Sequence, residues 1–311
     1  MSPKRVIWVA CIAIVIYGIA AYWVLNNFDI PPIRGALWLF VIAAAVSQFG
    51  GTWFFGLLFR ESVEEVGRNL TPWRAFTAAL VGGGVARLIP AGGAVTPVAM
   101  AWTVRDDTDA AAGPALRAVL LNYAGLLIMA GAGVLLARPA GSAQVLGVGL
   151  TVLAPMVLVL GVVLMFGSGR LKSINKRLPK FISSRLENSV ANHAPKLESQ
   201  LYVWMRLALE ALALWLVLTG FNIDLTATET MAVFGAAMLF GGLPGTPGGL
   251  GIAEFGMAVM LGAYGFPYEE TVVPILVFRM ISFWLPAATG FLAGGTTFLR
   301  SDEAKAVEAS G

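Results

Sequence analysis

The residues best suited to chemistry in this sequence are two arginines and one glutamate that lie in strongly apolar segments. Arg87 and Arg279 occur in apolar stretches, and Glu254 ends a segment from Gly241 that holds six glycines and two prolines. Guanidinium groups bind phosphates and carboxylates, and a carboxylate accepts hydrogen bonds from amines or hydroxyls. The pattern therefore predicts a site for an anionic or zwitterionic group in apolar surroundings.

The composition predicts that these surroundings are a membrane. Hydrophobic residues make up 58% of the 311 residues and charged residues only 13%, with a mean hydropathy of +0.78. Soluble domains carry roughly 25% charged residues. The fold class is therefore predicted as an all-α polytopic membrane protein. One cysteine, Cys11, excludes an intrachain disulfide, and one histidine, His193, is too few for a zinc site or a typical catalytic relay.

Two apolar stretches, at about 74–104 and 230–264, are too long for one straight span. Proline and glycine interrupt each of them near its centre, from Pro90 to Pro97 and from Pro244 to Gly251. In lipid, non-helical backbone is tolerated only where protein buries it or water reaches it. Each interrupted stretch is therefore predicted to form two half-helices around a binding or translocation site.

The second half-helix of each stretch is expected to begin close to the bilayer centre. One should start around Pro97 and the other around Ile252. Such helix starts present free N–H groups and the positive end of the helix dipole, which attract anions.

Six further apolar runs have the length of ordinary transmembrane helices: 6–25, 36–59, 115–137, 144–167, 202–221 and 271–298. The connector at 168–200 carries seven lysines and arginines, the densest basic stretch of the chain, and short basic loops stay in the cytoplasm. The connector is cytoplasmic only if 74–104 enters the membrane and returns. Membrane crossings are counted from a cytoplasmic N-terminus. On the same basis 230–264 is a second re-entrant hairpin that enters from the opposite side, and the C-terminus is cytoplasmic as well.

These segments predict an inverted repeat. A shift of about 156 positions carries the segments of 36–137 onto those of 202–298, and it places Gly92 and Gly93 on Gly248 and Gly249. The chain is thus predicted as a single membrane domain, 1–311. Its parts are an extra N-terminal helix (6–25), a first half (36–137), a linking helix (144–167), the basic connector (168–200) and a second half (202–298).

The candidate substrate-binding and translocation site combines the two breaks with the buried charges. It comprises Arg87, Pro90, Gly92, Gly93, Thr96, Pro244, Thr246, Pro247, Gly248, Gly249, Gly251, Glu254 and Arg279. Glu254 could instead cap its helix or pair with Arg279, and Arg87 could snorkel to the membrane interface. Arg206 and Glu210, four residues apart, are interpreted as a structural pair, and Gln48 and Asn122 as interhelical hydrogen-bond partners. No catalytic residue, metal or cofactor is predicted.

Three segments resemble a known family: Leu88-Ile-Pro-Ala-Gly-Gly-Ala-Val, Leu243-Pro-Gly-Thr-Pro-Gly-Gly-Leu-Gly-Ile-Ala-Glu and Val277-Phe-Arg-Met-Ile-Ser-Phe-Trp-Leu-Pro. Together they resemble the bacterial lysylphosphatidylglycerol synthase transmembrane, or flippase-like, family over roughly residues 5 to 300. The resemblance implies a membrane domain that flips lipids, and Glu254 and Arg279 match the family's pattern. It also implies a bacterial inner-membrane protein. We expect no synthase domain in this chain, so lipid synthesis is not carried over.

The expected function is therefore a lipid flippase or lipid-head-group transporter, with membrane lipids as partners and no nucleic acid. Its cargo would be an anionic or zwitterionic phospholipid or a polyprenyl-phosphate-linked lipid. An integral membrane enzyme acting on a lipid-linked substrate and a small-ion or solute transporter are the alternatives. A homo-oligomer, or a separate lipid-modifying enzyme as partner, is compatible with each of them.

Overall fold

The computed structural model describes residues 36–88, 92–104, 108–137, 144–166, 195–242 and 248–294. These residues form helices and contain no strand. The helices are α1 (Ala36–Glu64), α2 (Pro72–Leu88), α3 (Gly92–Thr103), α4 (Thr108–Ala137), α5 (Gln144–Phe166), α6 (Leu197–Gly220), α7 (Ala227–Gly241), α8 (Ile252–Ala263) and α9 (Tyr268–Arg279). A π-helical turn, Met280–Trp284, continues α9, and α-helix follows to Gly294.

Four helical segments are long and apolar enough to cross a membrane: Leu37–Glu64, Ala111–Ala137, Leu197–Gly220 and Tyr268–Gly294. They match four of the six ordinary spans predicted from the sequence. Helix α5 has nearly the bounds of a fifth, 144–167. The predicted helix at 6–25 and most of the connector at 168–200 lie outside the described residues. The chain is thus a multi-pass helical membrane protein.

The two interrupted stretches form two pairs of short, packed helices. Helices α2 and α3 are separated by three residues, and Gly82 of α2 lies against Met100 of α3. In the second pair, Gly256 of α8 lies against Ala237 and Phe240 of α7, and Gly241 lies against Ala253, so α7 and α8 run antiparallel. Helices α3 and α8 each have 12 residues. At 1.5 Å per residue each measures about 18 Å, short of the ~30 Å hydrocarbon core.

The two predicted half-helix starts differ in outcome. Helix α8 begins at Ile252, as predicted. The prediction that the other half-helix begins around Pro97 is wrong, because α3 begins at Gly92 and Pro97 is its sixth residue. Proline interrupts a helix least near its start, where most N–H groups have no intrahelical partner. Pro97 therefore removes one hydrogen bond of the second turn without ending the helix.

The helices before and after the connector follow the same order. A long helix, a pair of short helices and a second long helix occur in each half: α1 to α4, and α6 to α9. A shift of 156 positions carries Glu64, the end of α1, onto Gly220, the end of α6. The halves interlock rather than lie apart, because α1 packs along α6 and α4 along α7.

Small residues permit these close crossings. Gly133 of α4 lies against Ala232 of α7, and Gly235 of α7 lies against Ala130 of α4. Small side chains let helix backbones approach closely where lipid supplies no hydrophobic driving force. A second close contact of small residues joins the two halves, because Gly84 of α2 lies against Gly290 beyond the π-helical turn. The two short pairs are thereby fixed against the long helices of the other half.

Candidate functional site

A cavity of about 200 Å³ lies where the ends of α2 and α7 meet the starts of α3 and α8. Each described helix except α5 contributes to its wall. Its charged lining residues are Arg87, Arg206, Glu210 and Arg279. Three guanidinium groups and one carboxylate therefore lie on the wall of this cavity, a combination that favours an anion.

The cavity lies at the middle of the long helices. Asn122 is the twelfth residue of the 27-residue span Ala111–Ala137, and Arg279 is the twelfth of the 27-residue span Tyr268–Gly294. Arg206 is the tenth residue of the 24-residue span Leu197–Gly220. Residues from three different spans thus place the polar wall far from either end of the helices.

Glu254 connects two elements of the wall. Nε of Arg279 donates to Oε1 of Glu254 at 2.8 Å, and the N–H of Gly251 donates to Oε2 at 2.9 Å. Both structural roles considered for Glu254 are therefore present, because the carboxylate caps α8 and pairs with Arg279. Arg279 is only 4% exposed, so this pair neutralises a deeply buried charge.

The π-helical turn follows Arg279 directly. The guanidinium of Arg279 lies over the Phe283 ring, 4.9 Å from its centroid, and Nη2 donates to the carbonyl of Gly248 at 3.2 Å. Ser282, in the same turn, also lines the cavity. Turns of π-helix occur as insertions in α-helices and are frequent at functional sites. Here the turn brings Arg279, Ser282 and Phe283 to one wall.

Arg87, in the last turn of α2, faces the cavity. Its Nη1 donates to the carbonyl of Gly83 at 2.8 Å, and its Nε donates to the carbonyl of Ser282 at 3.1 Å. The second bond joins residues 195 positions apart and ties α2 to the π-helical turn. Arg87 is therefore part of the cavity wall, and its guanidinium is held there by two carbonyl groups of the protein.

Two glycines allow the ends of the short pairs to meet. Gly248 has φ +54°, and a Cβ atom there would lie 2.9 Å from Cα of Arg87. Gly249 has φ +72°, and a Cβ atom there would overlap the backbone of Gly241. Only glycine adopts positive φ without steric cost and leaves room for a second backbone. The segment before α8 thus packs directly on the end of α2 and on the end of α7.

Arg206 and Glu210 form the expected pair, with Nε of Arg206 3.1 Å from Oε1 of Glu210. The guanidinium also lies over the ring of Phe55, 3.9 Å from its centroid. The structure adds that both residues line the cavity, a role the sequence analysis did not give them. Their position in the middle of an apolar span was the available signal, because charges at that depth are functional by default.

Comparison with known proteins agrees that this is a membrane protein. The model of the lysylphosphatidylglycerol synthase transmembrane region matches residues 9–290. The chain belongs to this family. Two relatives from Methanothermobacter thermautotrophicus (strain Delta H), each named "UPF0104 membrane protein", are 35% identical over 82 residues and 33% identical over 91 residues. These matches cover 26% and 29% of this chain, and about a quarter of each relative's length (25% and 26%).

Within this member of the lysylphosphatidylglycerol synthase transmembrane-region family, the structure brings together part of the predicted site. Arg87, Gly93, Thr96, Gly248 and Arg279 line the cavity, and Gly249, Gly251 and Glu254 adjoin them in the segment around the start of α8. Gly92 begins α3. Pro90, Pro244, Thr246 and Pro247 lie outside the described residues.

The sequence analysis missed three further polar lining residues, Thr52, Tyr123 and Ser282, and assigned Asn122 a different role. The hydroxyl of Tyr123 lies against Gly93, where a Cβ atom would be only 2.5 Å from the oxygen. Oδ1 of Asn122 has no hydrogen-bond partner among the described residues, although an interhelical hydrogen bond was predicted for this side chain. No sequence signal separates these hydroxyl and amide groups from the other polar residues of the spans.

Proposed function

We propose that this protein is a lipid flippase or lipid-head-group transporter. The arginine-lined cavity at mid-span, which lies between the ends of two broken helix pairs, is the observation that carries the proposal. Its cargo is an anionic or zwitterionic phospholipid or a polyprenyl-phosphate-linked lipid. A polar head group crosses the bilayer slowly because it must leave water, and a polar cavity at mid-depth lowers that barrier.

The size of the cavity fits a head group better than a whole lipid. Its volume of about 200 Å³ is below the ~300–1,000 Å³ of pockets that enclose drug-sized ligands. In the proposed mechanism the phosphate occupies the cavity while the acyl chains stay in the surrounding lipid. The phosphate replaces Glu254 as the partner of Arg279, and the N–H groups at the start of α8 supply further donors.

The same proposal includes the membrane topology. The pairs α2–α3 and α7–α8 enter from opposite sides and return, so the two halves form an inverted repeat. The 12-residue lengths of α3 and α8 and the matching helix order of the two halves support this arrangement. The protein resides in the bacterial inner membrane with both termini in the cytoplasm, and transport is its activity rather than catalysis.

Reconstitution of the purified protein in liposomes tests the function. We expect transfer of fluorescent phospholipid between leaflets, measured as the fraction quenched by an impermeant reductant. Liposomes with a pH- or ion-sensitive dye measure solute flux in parallel. Ion flux without lipid transfer would favour a solute transporter. Conversion of an added lipid-linked substrate to product, seen by mass spectrometry without transfer, would favour a membrane enzyme.

A further inference from the structure

The described charges of the cavity do not cancel. Three arginines, Arg87, Arg206 and Arg279, face two carboxylates: Glu210 lines the cavity, and Glu254 is bonded to Arg279. The segments 89–91 and 243–247, which lie outside the described residues, contain no ionisable side chain in the sequence. The described wall therefore carries one positive charge in excess.

That excess charge belongs to Arg87. Arg279 is paired with Glu254 at 2.8 Å and Arg206 with Glu210 at 3.1 Å. Arg87 donates to the carbonyls of Gly83 and Ser282, which are neutral groups. Among the described residues it has no carboxylate within ion-pair distance, so its charge is available to a ligand.

Hydrogen-bonding groups accompany this charge. Ser282 is 7% exposed and lines the cavity, and its Oγ has no hydrogen-bond partner among the described residues. Nη1 of Arg206 and Oδ1 of Asn122, on the same wall, are buried without a partner in that part of the chain. Buried polar groups of native proteins are nearly always hydrogen-bonded, so these atoms indicate a polar ligand. Ser282 and Arg206 suit a phosphate oxygen, whereas Oδ1 of Asn122 accepts from a hydroxyl.

We propose that the head group held in this cavity carries one negative charge, as a phosphodiester, and uncharged hydroxyl groups next to it. This inference rests on the proposed function and narrows its cargo. A monoanion cancels the excess charge of Arg87 where the dielectric constant is low. A head group of zero net charge leaves that charge uncompensated, and a dianion reverses it. Both phosphatidyl lipids with a polyol head and polyprenyl lipids with a phosphate-linked sugar have this chemistry.

Transport of lipids that differ in head-group charge tests the inference. Liposomes contain acyl-labelled phosphatidylglycerol (one negative charge), phosphatidylethanolamine (zero) or phosphatidic acid at pH 8.5 (close to two negative charges). We expect phosphatidylglycerol to be transferred at least about tenfold faster than either of the others, since an uncompensated charge at mid-membrane is costly. A labelled polyprenyl phosphoryl-mannose, compared with phosphatidylglycerol, separates the two sources of the phosphodiester.

Charge variants supply the matched comparison. Arg87→Gln removes the excess charge and should shift preference toward phosphatidylethanolamine. Glu210→Gln raises the excess positive charge and should shift the lipid preference toward phosphatidic acid. Arg87→Lys keeps the charge and should keep the wild-type order of the three lipids. Equal transfer of all three lipids by the wild type, or an order that neither variant changes, would overturn the charge inference but leave the proposed function standing. Transfer of none of the lipids would reject the function itself.

A binding measurement on the wild-type protein tests the charge inference without any variant, and it is used where the variants fold poorly. Short-chain phosphatidylglycerol and phosphatidylethanolamine are added to wild-type protein in detergent, and thermal unfolding is followed. We expect phosphatidylglycerol to raise the unfolding temperature more, because ligands stabilise the state that binds them. An equal or smaller rise with phosphatidylglycerol would contradict the inference even if transport variants cannot be prepared.

Discussion

Arg279 and Glu254 lie 25 positions apart in the chain and form an ion pair of 2.8 Å beside the mid-span cavity. The other oxygen of Glu254 accepts from the N–H of Gly251, so one carboxylate fixes both the start of α8 and the guanidinium. The pair thereby connects the second broken helix to the last span. Opening the ion pair would free the guanidinium of Arg279, which is the group proposed to bind the phosphate.

Neutral substitutions separate the structural role of this pair from its role in transport. Glu254→Gln keeps an oxygen acceptor for the N–H of Gly251 but leaves Arg279 buried without its counter-charge. Breaking a buried pair on one side typically costs ~3–5 kcal/mol, so we expect a clear drop in unfolding temperature. The double variant Glu254→Gln/Arg279→Gln should recover most of that loss, as measured by thermal unfolding in detergent.

Lipid transfer by the double variant decides what Arg279 does. We expect stability to return but transfer to remain low, because the guanidinium that binds phosphate is gone. Transfer at the wild-type rate in the double variant would show that Arg279 has only a structural role.

Gly249 should tolerate no side chain. Gly249→Ala places a methyl group on the backbone of Gly241 and forces a non-glycine residue to φ +72°, which alone costs roughly 1–2 kcal/mol. We expect a lower unfolding temperature and loss of lipid transfer. Gly262→Ala, near the end of the helix that follows Gly249 (α8), is the matched control, since no atom lies within 4 Å of its Cβ position. Similar behaviour of the two variants would mean that the break before α8 is a passive kink.

The sequence predicted those features that follow from local chemistry and from the cost of burying charge. The start of α8 at Ile252 was predictable because glycines and prolines end just before it, and the pairing of Glu254 with Arg279 because lone charges in lipid are unfavourable. The hydrogen bond from Arg87 to the carbonyl of Ser282 was not predictable from the sequence, because it depends on how α2 packs against the π-helical turn. The start of α3 was predicted wrongly because Pro97 was taken to mark the start of the helix, whereas it lies inside the second turn.

The proposed opposite orientation of the two short pairs predicts on which side of the membrane two loops lie. Ser183, in the connector outside the described residues, should be cytoplasmic, and Ala227, the first residue of α7, should be on the outer side. Single cysteines at these positions, in a Cys11→Ser background, can be labelled in intact cells with an impermeant thiol reagent. We expect labelling at position 227 and protection at 183 until the cells are opened. Labelling of position 183 from outside would contradict the re-entrant arrangement.

A buried hydrogen bond between residues that do not line the cavity tests stability separately from lipid selectivity. Oγ of Ser199 in α6, which is fully buried, donates to Oε2 of Glu61 in α1 at 2.5 Å. A hydrogen bond to a charged group contributes about 1.5–3 kcal/mol, so Ser199→Ala should lower the unfolding temperature measurably. The control Tyr202→Phe removes a hydrogen bond of similar length to Glu198 on the exposed side of α6, where water replaces it, and should have a smaller effect. Neither Ser199 nor Tyr202 lines the cavity, so both variants should keep the wild-type order of lipid preference. A changed order in Ser199→Ala would show instead that the packing of α1 on α6 sets the shape of the site.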